Sequence, residues 1–526
     1  MITVLDYGAG NVRSVINAIE RAGESVRIVE QSGDISAAEK LVFPGVGSFG
    51  SMMHILNEKG YVAPLKAYLR SNRPFLGICL GLQALFESSS EAPGVSGLGF
   101  LAGTVQRLQA GSCAVPHIGW NGIRVQKPGG LFSGLAGDEK FYFVHSYHVV
   151  PHDRGCVLTE TDYGSSFTSA IQQGNIAAIQ FHPEKSGAAG LRIFENFIAG
   201  RSSACVPERC PRETRLARRI IACLDVRADD RGNLVVTKGD QYDVRDGGAV
   251  RNLGDPVEMA RRYYEEGADE ITFLNITGFR NCPLADMPML DVLQKTSRHV
   301  FVPLTIGGGI REYRDEAGCL HTALDVAAQY FRSGADKISI GSDAVLIVED
   351  ILKTGRTTGL SSIEQIARVY GSQAVVISID PRRMYVDSPD AVPQHVIATD
   401  APGPRGERWC WYECTVRGGR EGRPVDAVTL ARVCQELGAG ELLLNCIDRD
   451  GTCGGFDLEL INAVKASVSI PVIASSGAGS AEHFAELFVR TGAEAALAAG
   501  IFHRGEVPLA AVKKHLAGRV EIRTCG

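Results

Sequence analysis

Cys79 stands between Gly77 and Gly81, where the apolar run Phe75–Ile78 gives way to Leu82, Leu85 and Phe86 at helical spacing. A strand that ends on a sharp glycine turn and enters a helix at once is the pattern of a nucleophile elbow. Side chains at Gly77 or Gly81 would crowd that turn, and the helix start behind the thiol would favour its thiolate. A thiol nucleophile needs a base, and the base needs a group to fix its tautomer. The strand Ala177–Phe181 ends in His182-Pro183-Glu184, which fills both places if the extended chain carries His182 and Glu184 on one side. The glycine-rich turn Val42–Gly47 follows a strand, so its N–H groups are candidates for stabilising an oxyanion.

These three motifs, in this order, resemble the class I glutamine amidotransferases. The resemblance implies a thioester on Cys79, release of ammonia from glutamine and an oxyanion hole near Val46 and Gly47. It also implies recognition of the glutamine by Gln83 and by His145-Ser146-Tyr147.

A second set of chemical residues lies in the later 300 or so residues, at the ends of eight apolar strand candidates separated by helical patterns. Eight such units predict a (β/α)8 barrel, whose active site forms at the C-terminal ends of its strands. Asp225 and Asp380 close the first and fifth strands, opposite each other, and read as an acid/base pair. The barrel repeats itself: Val302–Gly309 pairs with Ile470–Gly479, and Ile221–Asp225 with Val376–Asp380, so strands one to four map onto five to eight. Glycine-rich turns whose N–H groups can cradle phosphate therefore occur twice. One set holds Gly308, Gly309, Gly341 and Ser342, and the other Ser476, Gly477, Gly479 and Gly500. The substrate expected from this duplication is long and carries a phosphate at each end.

Ile220–Asp225, Val235–Gly239, Thr305–Gly309 and Cys446–Thr452 resemble the cyclase of the imidazole glycerol phosphate synthases, and Tyr7–Asn11 with Gly119–Asn121 resemble their glutaminase. The likeness covers nearly the whole chain in the fused, glutaminase-first arrangement. It implies a reaction joining ammonia to a bis-phosphate formimino ribotide, yielding imidazole glycerol phosphate and an aminoimidazole carboxamide ribotide. It also places Lys238 on a mobile loop over the mouth and lines the substrate with Asn445 and Asp450. Asn275 is an amide where some members carry aspartate, and no proton transfer is assigned to it. Arg219, Glu270, Lys337 and Glu441 stand at the starts of strands one, two, four and six. Their simplest role is to stabilise the barrel floor. They could also close a mutually neutral ring, and the resemblance implies an ammonia gate there.

The elements that must position these residues divide the chain into an alternating, then more antiparallel, α/β unit over 1–200, an arginine-rich linker over 201–218 and the barrel over 219–526. The fold class is thus α/β: a doubly wound mixed sheet followed by a TIM barrel with half-barrel repeat. A net charge of -6 gives no reason to expect nucleic acid or a membrane surface. Fourteen scattered cysteines without Cys-x-x-Cys pairs predict neither a zinc site nor a disulfide framework, and a strand-like start at Ile2 predicts no leader. No metal and no cofactor are expected. A cytoplasmic monomer acting on small molecules is expected, its two domains partnering within one chain. A pyridoxal phosphate synthase-like system is the alternative enzyme, but it would want a Schiff-base lysine on a strand, whereas Lys238 sits in a glycine-bounded loop. A catalytically dead scaffold fits poorly with an intact triad pattern and two intact aspartates.

Overall fold

The computed structural model describes residues 1–8, 10–200, 209, 211–237, 245–246, 249–250, 252–276, 284 and 287–524. The expected site residue Lys238 and the linker cysteines Cys205 and Cys210 lie outside the described residues.

In the N-terminal part, five parallel strands run side by side in the order Val26–Ile28, Ile2–Val4, Leu41–Gly45, Phe75–Cys79, Ile176–Ile179. The sheet then turns antiparallel through Ser165–Gln173, Tyr147–Pro151 and Gly103–Arg107. Phe75–Cys79 is flanked on both edges and all five of its residues are buried, which explains its unbroken apolar run. The apolar stretch from Phe141 to Pro151 forms two strands. Phe141–His145 pairs with His117–Asn121 in a separate ribbon, and Tyr147–Pro151 joins the main sheet, the chain bending between them at Ser146.

The C-terminal part is a closed barrel of eight parallel strands, Arg219–Ala228, Glu270–Asn275, Leu304–Gly307, Lys337–Ile340, Val375–Ile379, Glu441–Asn445, Val472–Ser475 and Ala495–Ala498, sealed where Arg219 pairs with Ala495. Because side chains alternate along a strand, Arg219, Ile221, Cys223 and Asp225 share one face of strand one. Glu441, Leu443 and Asn445 do the same on strand six. The interior is therefore layered: charges at the floor, an apolar middle containing Ile221, Cys223, Val376, Leu443, Ile473 and Leu497, and carboxylates at the mouth. Strand one does not end at Asp225, as expected; it runs on to Ala228 and pairs antiparallel with Leu234–Thr237. After strand five the chain makes an excursion into a four-stranded antiparallel sheet of Pro381–Val386, Ile397–Ala398, Trp409–Val416 and Glu421–Asp426.

The two parts meet at the N-terminal face of the barrel. Asn11 Nδ2 donates to Gly334 O and to Asp336 Oδ1, each at 2.8 Å, and Lys185 Nζ pairs with Asp336 at 2.7 Å. Asn17 Nδ2 donates to Ser297 at 3.0 Å, and Trp120 Nε1 to the Asp269 carbonyl at 3.0 Å. These barrel residues precede strands two, three and four, on the side opposite Asp225 and Asp380. Residues 211–218 do not hang free between the parts. Thr214 exchanges hydrogen bonds with Asp162, and Ala217 N–H donates to the Trp120 carbonyl.

Candidate active site

The elbow forms as its glycines require. Cys79 has φ +53°, a strained conformation for a residue with a side chain. Neither flanking glycine has a positive φ; what each supplies is room. A Cβ on Gly77 would stand 2.7 Å from the Gly81 carbonyl oxygen, and one on Gly81 would overlap the Phe43 carbonyl. The helix behind the thiol spans only Leu80–Gln83, shorter than the spacing of Leu85 and Phe86 suggests, because those residues close tighter turns. So short a helix contributes little dipole, and the groups around the thiol matter more.

His182 is the principal one. It is buried in hydrogen-bond contact with Cys79, and its Nδ1 lies 2.7 Å from Glu184 Oε1. Burial alone would keep the imidazole uncharged, but Glu184 and Cys79 outweigh it and hold the ring well above its ordinary pKa. Glu184 does not continue an extended strand, as expected. It sits in a 3-10 turn, Pro183–Lys185, that folds its carboxylate back onto the imidazole. Gln180, absent from the sequence reading, donates from Nε2 to Cys79 Sγ at 3.4 Å. Its position two residues before His182, just past the end of the strand Ile176–Ile179, was the available signal.

The residues expected to hold glutamine are gathered around this centre, with changed partners. Gln83 Nε2 donates to Tyr147 O at 3.0 Å and to Gln180 Oε1 at 3.3 Å. His145 is wholly enclosed: Nδ1 meets Tyr147 O at 2.8 Å and Nε2 meets His117 Nδ1 at 3.2 Å. Burial lowers its pKa to about 3, so it is a neutral brace for the Tyr147 carbonyl with neither ring nitrogen offered to a ligand. Ser146 contributes its carbonyl to Leu108 N–H, tying the bend to the neighbouring strand. At the expected oxyanion turn, Val46 N–H donates to the Tyr7 hydroxyl at 3.0 Å, which in turn donates to Val46 O at 2.6 Å. Gly47 has φ +118°, and a Cβ there would come within 2.8 Å of the Val369 carbonyl of the barrel.

Beside the triad lies a narrow, partly open cavity of about 30 Å³, lined jointly by Cys79, His182, Tyr142, Asp336 and Lys337. That volume accommodates a molecule the size of water or ammonia. On its barrel side the cavity is walled by Phe331, Ala335, Asp336, Gln373 and Ala374 and reaches the floor ring at Lys337. The structure assembles that ring from all four expected residues. Lys337 Nζ pairs with Glu270 at 2.7 Å and Glu441 at 2.6 Å, and Arg219 pairs with Glu270 at 2.8 Å and with Glu441. All four side chains are fully buried. Burial opposes the charge on Glu441, yet Arg219 and Lys337 hold its pKa below the usual carboxylate value.

At the opposite mouth, Asp380 Oδ1 accepts from Asn445 Nδ2 at 2.8 Å and from Ser378 Oγ at 3.3 Å. Burial raises its pKa more than these donors lower it, leaving a carboxyl suited to giving and taking a proton. Asn445 thus touches the acid/base candidate directly. Asp225 lies across the barrel on strand one, and Asp450 follows the 3-10 turn Ile447–Arg449 after strand six. Of the phosphate candidates, Gly308, Gly309, Ser476 and Gly477 have positive φ, from +72° to +93°. Gly341 and Ser342 begin the helix Ser342–Thr354, where Ser342 Oγ accepts from Arg417 N–H at 3.0 Å. Gly479 packs against Cys453, and Gly500 opens a helix of only four residues.

A family model described as glutamine amidotransferase class-I matches residues 3–200, and one described as histidine biosynthesis protein matches 219–508. The chloroplastic imidazole glycerol phosphate synthase hisHF of Arabidopsis thaliana is 55% identical over 99% of this chain and 89% of its own length. The hisHF proteins of Emericella nidulans and Schizosaccharomyces pombe are 52% and 51% identical, each over 98% of both chains. The chain belongs to the imidazole glycerol phosphate synthase family. It is an enzyme of the fused form, with a glutamine amidotransferase half and a cyclase half, and membership of that family rules out the pyridoxal phosphate synthase-like alternative. The buried strand lysine, Lys337, belongs to the floor ring, far from the mouth where a Schiff base would be wanted. No helix among the described residues is long and apolar enough to cross a membrane.

Proposed function

We propose that Cys79 attacks the side-chain amide of glutamine while His182, ion-paired to Glu184, carries the proton from the thiol to the leaving nitrogen. The acyl group stays on sulfur as a thioester and ammonia departs; water then releases glutamate and restores the thiol. Gln83 and the Tyr147 carbonyl braced by His145 bound the glutamine pocket, and the Val46–Gly47 turn supplies the oxyanion site. For Val46 to donate to an oxyanion, its N–H must leave the Tyr7 hydroxyl.

Ammonia enters the cavity, passes the floor ring and crosses the apolar layer of Ile221, Cys223, Val376 and Leu443 to the mouth. It travels uncharged, because an ammonium ion would lose its hydration there. At the mouth it adds to a bis-phosphate ribotide, with Asp225 and Asp380 exchanging protons as the imidazole ring closes and the carboxamide ribotide leaves. Asn445 and Asp450 line that site. Lys238 is assigned to the same substrate, and the two glycine-rich sets hold the terminal phosphates. Both catalytic halves lie in one chain, which favours a monomer; cytoplasmic residence belongs to the same reading.

The observation that carries this reading is the single cavity bounded by the triad on one side and Lys337 on the other. Cys79→Ala is expected to abolish turnover with glutamine and retain turnover with ammonium salt, whereas Asp225→Asn abolishes both. Loss of the ammonia-dependent reaction in Cys79→Ala would contradict the division of labour.

A further inference from the structure

The excursion after strand five contains a charged cluster that the reaction as described does not use. Arg383 is only 6% exposed at its side chain, and its partner Asp457 only 2%. Arg383 Nη2 donates to Asp457 Oδ2 at 2.6 Å and to the Tyr412 hydroxyl at 2.8 Å. Its Nη1 donates to Thr399 Oγ1 at 2.8 Å and pairs with Glu459 at 3.1 Å, while its backbone N–H donates to Asp448 Oδ2 at 2.6 Å. One residue thereby grips the loop after strand six at both ends: at Asp448, two residues before Asp450, and at Asp457, which caps the helix Leu458–Ser467. It also lies three residues after Asp380, whose carbonyl is fixed by Thr415 N–H at 3.1 Å. A buried ion pair is a costly way to stabilise a fold, since apolar residues of like volume usually do as well. What a planar guanidinium fork adds is geometry.

We propose that Arg383 is a positioning residue for the cyclase: it sets the separation between Asp380 and the loop bearing Asp450, and so the fit of the ribotide between them. The function of the excursion sheet is to present that fork. The proposal rests on the assignment of Asp380 and Asp450 to the cyclase site, so Asp380→Asn is measured beside it. If Asp380→Asn turns over normally, that assignment fails; if it is inactive while Arg383→Lys behaves as wild type, only the positioning role fails.

The test is ribotide kinetics in the full chain with ammonium salt as nitrogen source. Arg383→Lys keeps the charge but loses the fork, and it should raise the KM for ribotide by about tenfold or more, the scale expected of a small misplacement at a reacting centre. Basal glutamine hydrolysis should be unchanged. Mere loss of folded enzyme would lower kcat in both reactions and leave KM alone. Because Arg383→Met alone strands a buried carboxylate, the second variant is Arg383→Met with Asp457→Asn, which restores neutrality without the fork. Its KM should stay raised. A wild-type KM in Arg383→Lys, or full recovery in the neutral double variant, would overturn the proposal and leave the cluster a matter of charge burial.

Discussion

Lys337→Met removes one cation from the floor ring and keeps most of its apolar stem. Lys337 Nζ stands 2.7 Å from Glu270 and 2.6 Å from Glu441, with all three side chains fully buried. At an effective dielectric constant near 20, each contact carries about 6 kcal/mol of raw attraction, much of it offset by desolvation. Breaking such a pair from one side costs about 3–5 kcal/mol, because a carboxylate is left uncompensated. For a barrel of this size that lowers the melting temperature by something on the order of 10 °C. The deficit should depend on pH with a definite sign. In the parent chain Arg219 and Lys337 depress the pKa of Glu441, so its ionised form stabilises the fold above the ordinary carboxylate pKa, and that contribution fades as pH falls. With one cation gone, Glu441 takes a proton more readily, so the gap between parent and variant narrows on acidification. The functional readout is the ratio of glutamate to imidazole glycerol phosphate formed from glutamine in one reaction. An open floor lets ammonia escape, so glutamate should outrun the cyclised product while ammonia-dependent cyclisation stays within about twofold of the parent. A ratio that stays near one to one in a folded variant would refute the gating argument and leave the ring as floor structure alone.

Two further changes probe the separate sites. Glu184→Gln removes the charge that outweighs burial at His182, so the imidazole should fall back toward neutrality and glutamine turnover should drop by about 10²–10⁴-fold, with ammonia-dependent cyclisation unaffected. Asn445→Ala removes a donor that lowers the pKa of Asp380, so the acid limb of the ammonia-dependent rate, measured at fixed free ammonia, should move to higher pH; an unmoved limb would mean that Asp380 is not the titrating group.

Residues whose roles follow from local chain geometry were legible in the sequence. The elbow announces itself because only glycine fits beside the Phe43 and Gly81 carbonyls, and the eight strands because buried parallel strands are unbroken apolar runs. The floor ring could be anticipated since Arg219, Glu270, Lys337 and Glu441 all occupy strand starts, which barrel closure brings together. Contacts that depend on distant partners could not. His145 is committed to His117, which lies on the strand beside it and 28 residues away in sequence. Val46 N–H is held by Tyr7 from 39 residues away. Glu184 reaches His182 through a tight turn that the alternation of an extended strand misrepresents. Arg383 likewise meets Asp457 from 74 residues away.

The central claim is that nitrogen passes from Cys79 to the barrel mouth inside the molecule. It is tested most directly by isotope competition. The enzyme is given ribotide and glutamine labelled with ¹⁵N in the side-chain amide, together with unlabelled ammonium at a level that alone supports only slow turnover. Passage through the cavity beside the triad and the floor ring predicts that the imidazole glycerol phosphate formed carries the glutamine label undiluted, and that Lys337→Met lets unlabelled nitrogen in. Product labelled only to the level of the bulk ammonia pool in the parent enzyme would contradict the internal route.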